Sequence, residues 1–269
     1  GKDLFAYFEF LNCKDPIAVH DTIKKFNLYR QTSDLKSLFA LNRQVKSFID
    51  FQKPPWKYEI LLNHAAHLEY MEERHQDCIN FVQSILRGLE PHYQQEEFVA
   101  NFLTILASCY LILKDFERAD RAISQAEELV QNWESIPRYI TTIISVKLNR
   151  ISHCHYTGDY DKAILEGLNL NEIQRRVNSY ERVSYINYYL AFAYFKKGMP
   201  KEALSWFEKC LFDLIVHPSE VAAYFLSQYE HFYDMLYHKR ISHSLAQRIV
   251  TLYRLQPPEG IAKNETLCT

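Results

Sequence analysis

Glycine and proline are scarce in this sequence: 6 and 9 in 269 residues. An all-β chain or a dinucleotide-binding α/β chain of this length needs more turn glycine, so the shortage points to long helices with short connections. Charge of one sign is also lacking. Lys and Arg number 31 against 33 Asp and Glu, a formal net charge of −2. The chain therefore has no global attraction for nucleic acid or for an anionic membrane. Apolar runs long enough to span a bilayer are missing. The longest, 98–113, is broken by Asn101, Thr104 and Ser108 and reads as a buried helix. No secretory signal is visible.

The six cysteines (Cys13, Cys78, Cys109, Cys154, Cys210 and Cys268) contain no CxxC pair. Most lie inside apolar helical patterns as small hydrophobes, which fits a reducing cytoplasm rather than a disulfide framework. Motifs of enzymatic chemistry are missing as well: there is no HExxH, P-loop, GxGxxG or GxSxG. The pairs His64/His67 and His153/His155 have no evident third metal ligand. Cys154 between two histidines is a poor nucleophile pair, because adjacent helix residues diverge. His231, Asp234 and His238 share one face near a helix end and read as solvated. No enzyme activity, no cofactor and no metal are expected.

What the sequence has in plenty is apolar and aromatic side chains: 48% hydrophobic and 14% aromatic, with 19 Tyr and 17 Phe. So many rings exceed what a helical core needs, and some are expected to line a surface. The helical signals come in pairs. Asp15-Pro16 starts a helix to about 29, and Ser33 or Asp34 caps another to about 51. After Pro54-Pro55 the periodicity predicts helices over 56–74 and 76–89, 96–113 and 116–130, 138–156 and 160–176, 181–197 and 201–215, then 220–237 and 242–255. The tail after Pro257-Pro258 is polar.

The second helices of these pairs align. Lys114-Asp-Phe-Glu-Arg-Ala119, Gly158-Asp-Tyr-Asp-Lys-Ala163 and Gly198-Met-Pro-Lys-Glu-Ala203 share one turn and helix start, with a weaker copy at 73–78. Their small residues at 78, 119, 163 and 203 lie 41, 44 and 40 residues apart. A period near 40 with two helices per unit predicts a solenoid. Small residues at fixed places let paired helices approach closely, and Ala does so at no cost in helix propensity.

These segments resemble the tetratricopeptide repeat over about 56–216. Ala107 and Tyr110 precede Ala119, Ile123 and Ala126; Ala191 and Tyr194 precede Ala203, Phe207 and Cys210. The Gly158 unit departs, with Ile151 and Cys154 on its first helix and Gly167 where an aromatic is usual. The early Trp of the family is missing. The resemblance implies an all-α, right-handed superhelical solenoid of degenerate helix hairpins, with first helices on the concave side. By that alignment the groove is lined by Ile60, Asn63, His64, His67 and Tyr70; by Asn101, Thr104, Ile105 and Ser108; by Leu148, Asn149, Ser152 and His155; by Tyr185, Tyr188, Tyr189 and Phe192; and by Gln228, Tyr229 and Phe232. Asn grips an extended backbone through both a donor and an acceptor, and rings supply rigid apolar pockets. That chemistry suits a short, partly apolar peptide. Asn149 and Asn101 are the leading candidates, and Asn149→Ala is expected to weaken binding without lowering the melting temperature.

The segment Asp3-Leu-Phe-Ala-Tyr-Phe-Glu-Phe-Leu-Asn12 is similar to the closing helix of a small helix-turn-helix domain. Together with the hairpins, it gives the chain a resemblance to the peptide-pheromone regulators of Gram-positive bacteria, the Rgg, PlcR and PrgX type, with the phage arbitrium receptors as relatives. The resemblance implies a cytoplasmic receptor for a short signalling peptide that controls DNA binding in quorum sensing. It also implies a homodimer, with DNA contacted only through a helix-turn-helix domain not present in this chain. Residues 1–14 would end such a domain or form a linker helix, 15–255 would form the peptide-binding domain, and 256–269 the tail. A chain opening at Gly1 inside a helix start is expected to be part of a longer one. Two other readings stay open: a tetratricopeptide scaffold or co-chaperone holding a protein partner, and a peptide-regulated phosphatase of the Rap type. A carboxylate clamp would place Lys and Arg at the groove positions, where this sequence has Asn, His, Ser and Tyr.

Overall fold

The computed structural model describes residues 56–70, 72–94, 96–133, 139–216, 222–237 and 244–252, together with Lys25, Ser37 and Ala40. The segment 3–12, most of the two helices expected before residue 52, and the C-terminal tail lie outside the described residues. From residue 56 onward the described residues form ten α-helices: α1 (Trp56–Tyr70), α2 (His75–Arg87), α3 (Glu97–Ile112), α4 (Phe116–Val130), α5 (Ile140–Thr157), α6 (Tyr160–Val177), α7 (Val183–Lys196), α8 (Pro200–Val216), α9 (Ala222–Tyr237) and α10 (Ser244–Leu252). A 3₁₀ turn over Pro91–Tyr93 joins α2 to α3. No strand occurs among the described residues. Contacts fall chiefly between helices adjacent or next-but-one in the chain, most extensively α3 with α4 and α7 with α8. This is an all-α solenoid, built chiefly from contacts between helices close in the chain.

The chain divides into two compact units, Gly1–His153 and Cys154–Thr269, with the division inside α5. In the first unit, Ala65, Cys78, Ala107, Ala119 and Ala126 are sealed between helices. The Cys78 thiol donates to the Ala65 carbonyl at 3.3 Å, so α1 and α2 touch nearly backbone to side chain. Tyr58 stacks on Phe98 with ring centroids 4.0 Å apart, tying α1 to α3. Arg150 of α5, 5% exposed, reaches three side chains along one face of α4. It donates to Glu127 through Nε (3.0 Å) and Nη2 (2.7 Å), to Ser124 Oγ (3.0 Å), and through Nη1 to Asp120. The fork geometry of guanidinium allows this where an ammonium could not.

In the second unit, Cys154, Ala163 and Ala193 form one small packed cluster. Tyr188, Ala191, Phe207, Cys210, Phe225, Tyr229 and Phe232 belong to another.

The recurrent turn seen in the sequence is a helix stop followed by a helix start. Lys114, Gly158 and Gly198 take positive φ of 60°, 81° and 73°. The next residue's N–H then bonds back five positions: Asp115 to Tyr110 O (2.9 Å), Asp159 to Cys154 O (2.9 Å) and Met199 to Tyr194 O (3.0 Å). That is the Schellman closure of a helix. Asp115 and Asp159 immediately cap the following helix, accepting from Arg118 N (3.1 Å) and Lys162 N (3.2 Å). The third copy starts instead with Pro200 at the head of α8. A looser closure, one residue longer, ends α1 earlier than the periodicity predicts. Glu73 sits at φ 53° and Arg74 N–H bonds to Leu68 O (2.8 Å), so the helix stops at Tyr70 rather than 74.

Gly167, which stands where the repeat usually has an aromatic, is explained by α7. A Cβ at this position would lie 2.8 Å from Leu190 Cδ2 and 2.9 Å from Leu190 Cγ, and Leu190 is fully buried. Leu190 occupies the space that the missing side chain would fill. Gly167→Ala should therefore destabilise the chain by about 1–3 kcal/mol through overpacking, although Ala is favoured over Gly in a helix by about 1 kcal/mol. In urea denaturation, Leu190→Ala should cost less in the Gly167→Ala background than alone. Additive losses would show that the two residues do not compete for one space.

Candidate functional site

The first unit brings the amide candidates into an interhelical network. Thr142 on α5 donates its hydroxyl to Glu97 Oε1 (2.7 Å), with Asn101 Oδ1 also near (3.2 Å). Asn149 donates Nδ2 to the Thr104 carbonyl at 2.7 Å, and Thr104 Oγ1 bonds to Ala100 O at 2.8 Å. Asn149 therefore clamps α5 to α3. The expectation that its loss leaves stability untouched is corrected: one N–H of the amide already holds α5 to α3. Asn101, Thr104 and Ser108 are half-buried along α3. His64 is exposed on α1, with its ring edge-on to Phe81 at 4.8 Å. Asn63 and His67 lie on α1, and their side chains, like those of Ile60 and Tyr70, are outside the described residues.

The second unit brings the aromatic candidates together. His155, near the end of α5, packs against Phe192 (4.3 Å between ring centroids) and Tyr189 (5.2 Å) of α7 and against Tyr156 (5.4 Å). Tyr188 stacks on Phe225 of α9 at 4.8 Å, and its hydroxyl lies 3.1 Å from that of Tyr224. Tyr185 meets Phe225 edge-on at 5.2 Å. The Lys196 ammonium sits 5.2 Å from the Phe192 ring centre. Tyr156 and Tyr224 are half exposed, at 51% and 52%, while His155, Tyr185, Tyr189, Phe192 and Gln228 are partly covered. The result is a ring-lined face with few charges, fit to receive apolar or aromatic side chains.

Several expected groove residues are instead core. Ser152 (7%), Tyr188 (6%) and Tyr229 (fully buried) are sealed, as are Ile105, Leu148 and Phe232. The reason is steric: a first helix is covered on both flanks, and large rings on its neighbours close over positions a bare repeat would leave open. Phe225 covers Tyr188, and Phe207 and Tyr233 flank Tyr229. The sequence reading missed Tyr156 and Tyr224, whose exposure depends on where α5 and α9 meet α7.

His153 Nε2 lies 3.2 Å from the Phe116 carbonyl, a packing role. Cys154 is buried, and burial opposes the thiolate a nucleophile requires. Among the described residues, no three His, Cys, Asp or Glu side chains gather as a metal site. No described helix is long and apolar enough to cross a membrane.

No protein-family model matches the chain, and no curated protein matches it. Among solved structures it is similar to a Rap protein complexed with Competence and Sporulation Factor, with a TM-score of 0.58 at 15% identity over 75% of this chain and 54% of that one. The chain thus spans about half the length of that protein, and at this identity the likeness is one of fold. A tetratricopeptide repeat protein from Parabacteroides merdae overlaps over 87% of this chain and 98% of its own, at 16% identity and a TM-score of 0.30, too low to carry weight.

Burial, with help from the Lys196 charge, pushes the His155 imidazole down to about 4, and its Nδ1 is enclosed with no hydrogen-bond partner. The folded state therefore holds His155 neutral where the unfolded chain, titrating near 6.5, takes up a proton. Stability contributed by this residue is present above pH 6.5 and is lost as pH falls toward 4, on the order of 2 kcal/mol. His155→Phe should flatten that part of a stability–pH curve measured by urea denaturation. Asn149→Ala should lower stability by about 1 kcal/mol in the same assay at neutral pH.

Proposed function

We propose that this chain is a cytoplasmic receptor domain that binds a short signalling peptide on its first helices and controls a helix-turn-helix DNA-binding domain, in transcription regulation of the quorum-sensing kind. The observation that carries this reading is the ring-lined face of His155, Tyr156, Tyr189, Phe192 and Tyr224. Such a face is apolar, partly exposed and rigid, and it suits one or two anchoring side chains of a peptide. In the first unit, Asn149 is held by Thr104 with an acceptor left over, and Asn101 lies on the neighbouring helix. Both are suited to a peptide backbone. The fold likeness to a Rap protein captured with a bound factor supports a solenoid used as a receptor. The receptor acts without catalysis, as a homodimer, by population shift: the peptide favours one of two arrangements of a repeat array whose interfaces each give slightly.

The same likeness favours a second reading, a Rap-type phosphatase regulated by peptide. Release of phosphate from a phosphorylated response regulator, added as substrate, would establish it in place of the first. Calorimetric titration with short synthetic peptides encoded beside the gene tests the receptor reading. Saturable binding is expected, weakened about tenfold or more by Phe192→Ala, since a lost aromatic anchor is worth about 1.4 kcal/mol or more. Failure of every such peptide to bind, with the fold intact by circular dichroism, would sink it.

A further inference from the structure

A cleft of about 590 Å³ opens between α6, α7 and α8 in the second unit, and none of the aromatic-face residues lines it. Its polar groups are oriented by one another. Asp213, when ionised, only accepts, so Asn187 must turn its NH₂ toward it; the two are hydrogen-bonded through Nδ2 and Oδ2. Asn187 therefore presents Oδ1 to Asn171, whose Nδ2 donates to it at 3.3 Å. Gln174 is fixed in the same way, because the Glu181 carbonyl can only accept and takes Nε2 at 2.5 Å. Each of these amides places one N–H inside the wall. Acceptors of the same set are left over: Asn171 Oδ1, Asp213 Oδ1 and Gln174 Oε1. Gln174 is 2% exposed, and its Oε1 has no hydrogen-bond partner. A buried acceptor left in that state is destabilising.

The charge balance agrees. Asn187, a neutral amide, is the hydrogen-bond partner of Asp213, and no cation among the described residues forms an ion pair with that carboxylate. Lys209, one turn away, lies instead with its ammonium 3.6 Å from the centre of the Trp206 ring. Burial has raised the Asp213 carboxyl to about 6, against weaker help from Asn187 and Lys209. The mouth is flat and aromatic, with Tyr180 54% and Phe212 60% exposed beside Trp206.

We propose that this cleft is a second ligand site, separate from the peptide face, and that it takes a planar guanidinium group. A guanidinium carries donors and no acceptor, pairs with a carboxylate and stacks on rings. At the Asp213 carboxylate an anion would be repelled, and a compact ammonium would leave the aromatic rings of Tyr180, Trp206 and Phe212 unused. The guanidinium belongs either to a small molecule or to an arginine of a polypeptide.

Calorimetric titration of the whole chain with agmatine, with acetyl-Gly-Arg-Gly-amide, and with the same tripeptide carrying citrulline separates these sources. Saturable binding of both guanidinium probes places recognition in the group itself. Binding of the arginine tripeptide alone assigns a polypeptide source, and binding of agmatine alone a small-molecule one. In each case Asp213→Asn should weaken binding about tenfold or more, with Asn187 still able to hydrogen-bond the new amide. Phe212→Ala, at an exposed position that leaves the core intact, should weaken it severalfold and serves if the first variant fails to fold. No saturable binding by either guanidinium probe, equal binding of the citrulline tripeptide, or affinity indifferent to both substitutions overturns the proposal. None of these outcomes depends on the peptide face, which is read by Phe192→Ala.

Discussion

Close approach of paired helices is the constraint on which the rest of this molecule depends. Ala107 with Ala119 in the first unit, and Ala191 with Ala203 in the second, are buried to 1% exposure or less. Larger side chains there would push the helices apart by their own thickness and break the packing along the whole length of each pair. Gly167 takes the rule to its limit, giving up its Cβ so that Leu190 can fill the interface. Where contacts fall chiefly between helices close in the chain, a poor interface has little distant core to compensate for it. The small residues are therefore where the fold has least freedom.

That closeness decides what happens to polar residues on the first helices. Two backbones this near leave little room for water, so amides and hydroxyls find partners across the interface. Asn149 bonds to the Thr104 carbonyl, Thr142 to Glu97, and Asn187 to Asp213. Arg150 makes the same choice with charge, setting its guanidinium against Asp120, Ser124 and Glu127 while the two carboxylates keep contact with solvent. The charge is buried on one side only, which limits its desolvation cost. Polar residues that look like a binding stripe in the sequence are thus partly a means of holding helices in register.

This is why the sequence discloses the fold more fully than the site. Periodicity, the Asp caps after Lys114 and Gly158, and the recurring small residues are local signals, and each reappears as a helix, a cap or a contact. Burial around a first helix is not local. The repeat alignment assigns Tyr188, Tyr189 and Phe192 alike to the groove, yet Phe225 closes over the first while the other two remain partly open. Nothing near residue 188 in the chain carries that information. Nor does any spacing link Asn171, Asn187 and Asp213, which stand on three helices and meet only when these pack.

The two surfaces of the second unit follow from the geometry of a single helix. Successive residues of α7 are rotated by about 100°, so Asn187 and Tyr189 must face different ways, and a helix packed on both flanks has two edges to present. Leu190, seated against Gly167, fixes the rotation of α7 about its axis, because turning it by even one residue would take Leu190 out of the space that Gly167 leaves open. With that rotation fixed, Asn187 is held to the cleft shared with Asn171 and Asp213, and Tyr189 and Phe192 are held to the side where His155 packs. A glycine with no chemistry of its own thereby sets which α7 side chains line each surface.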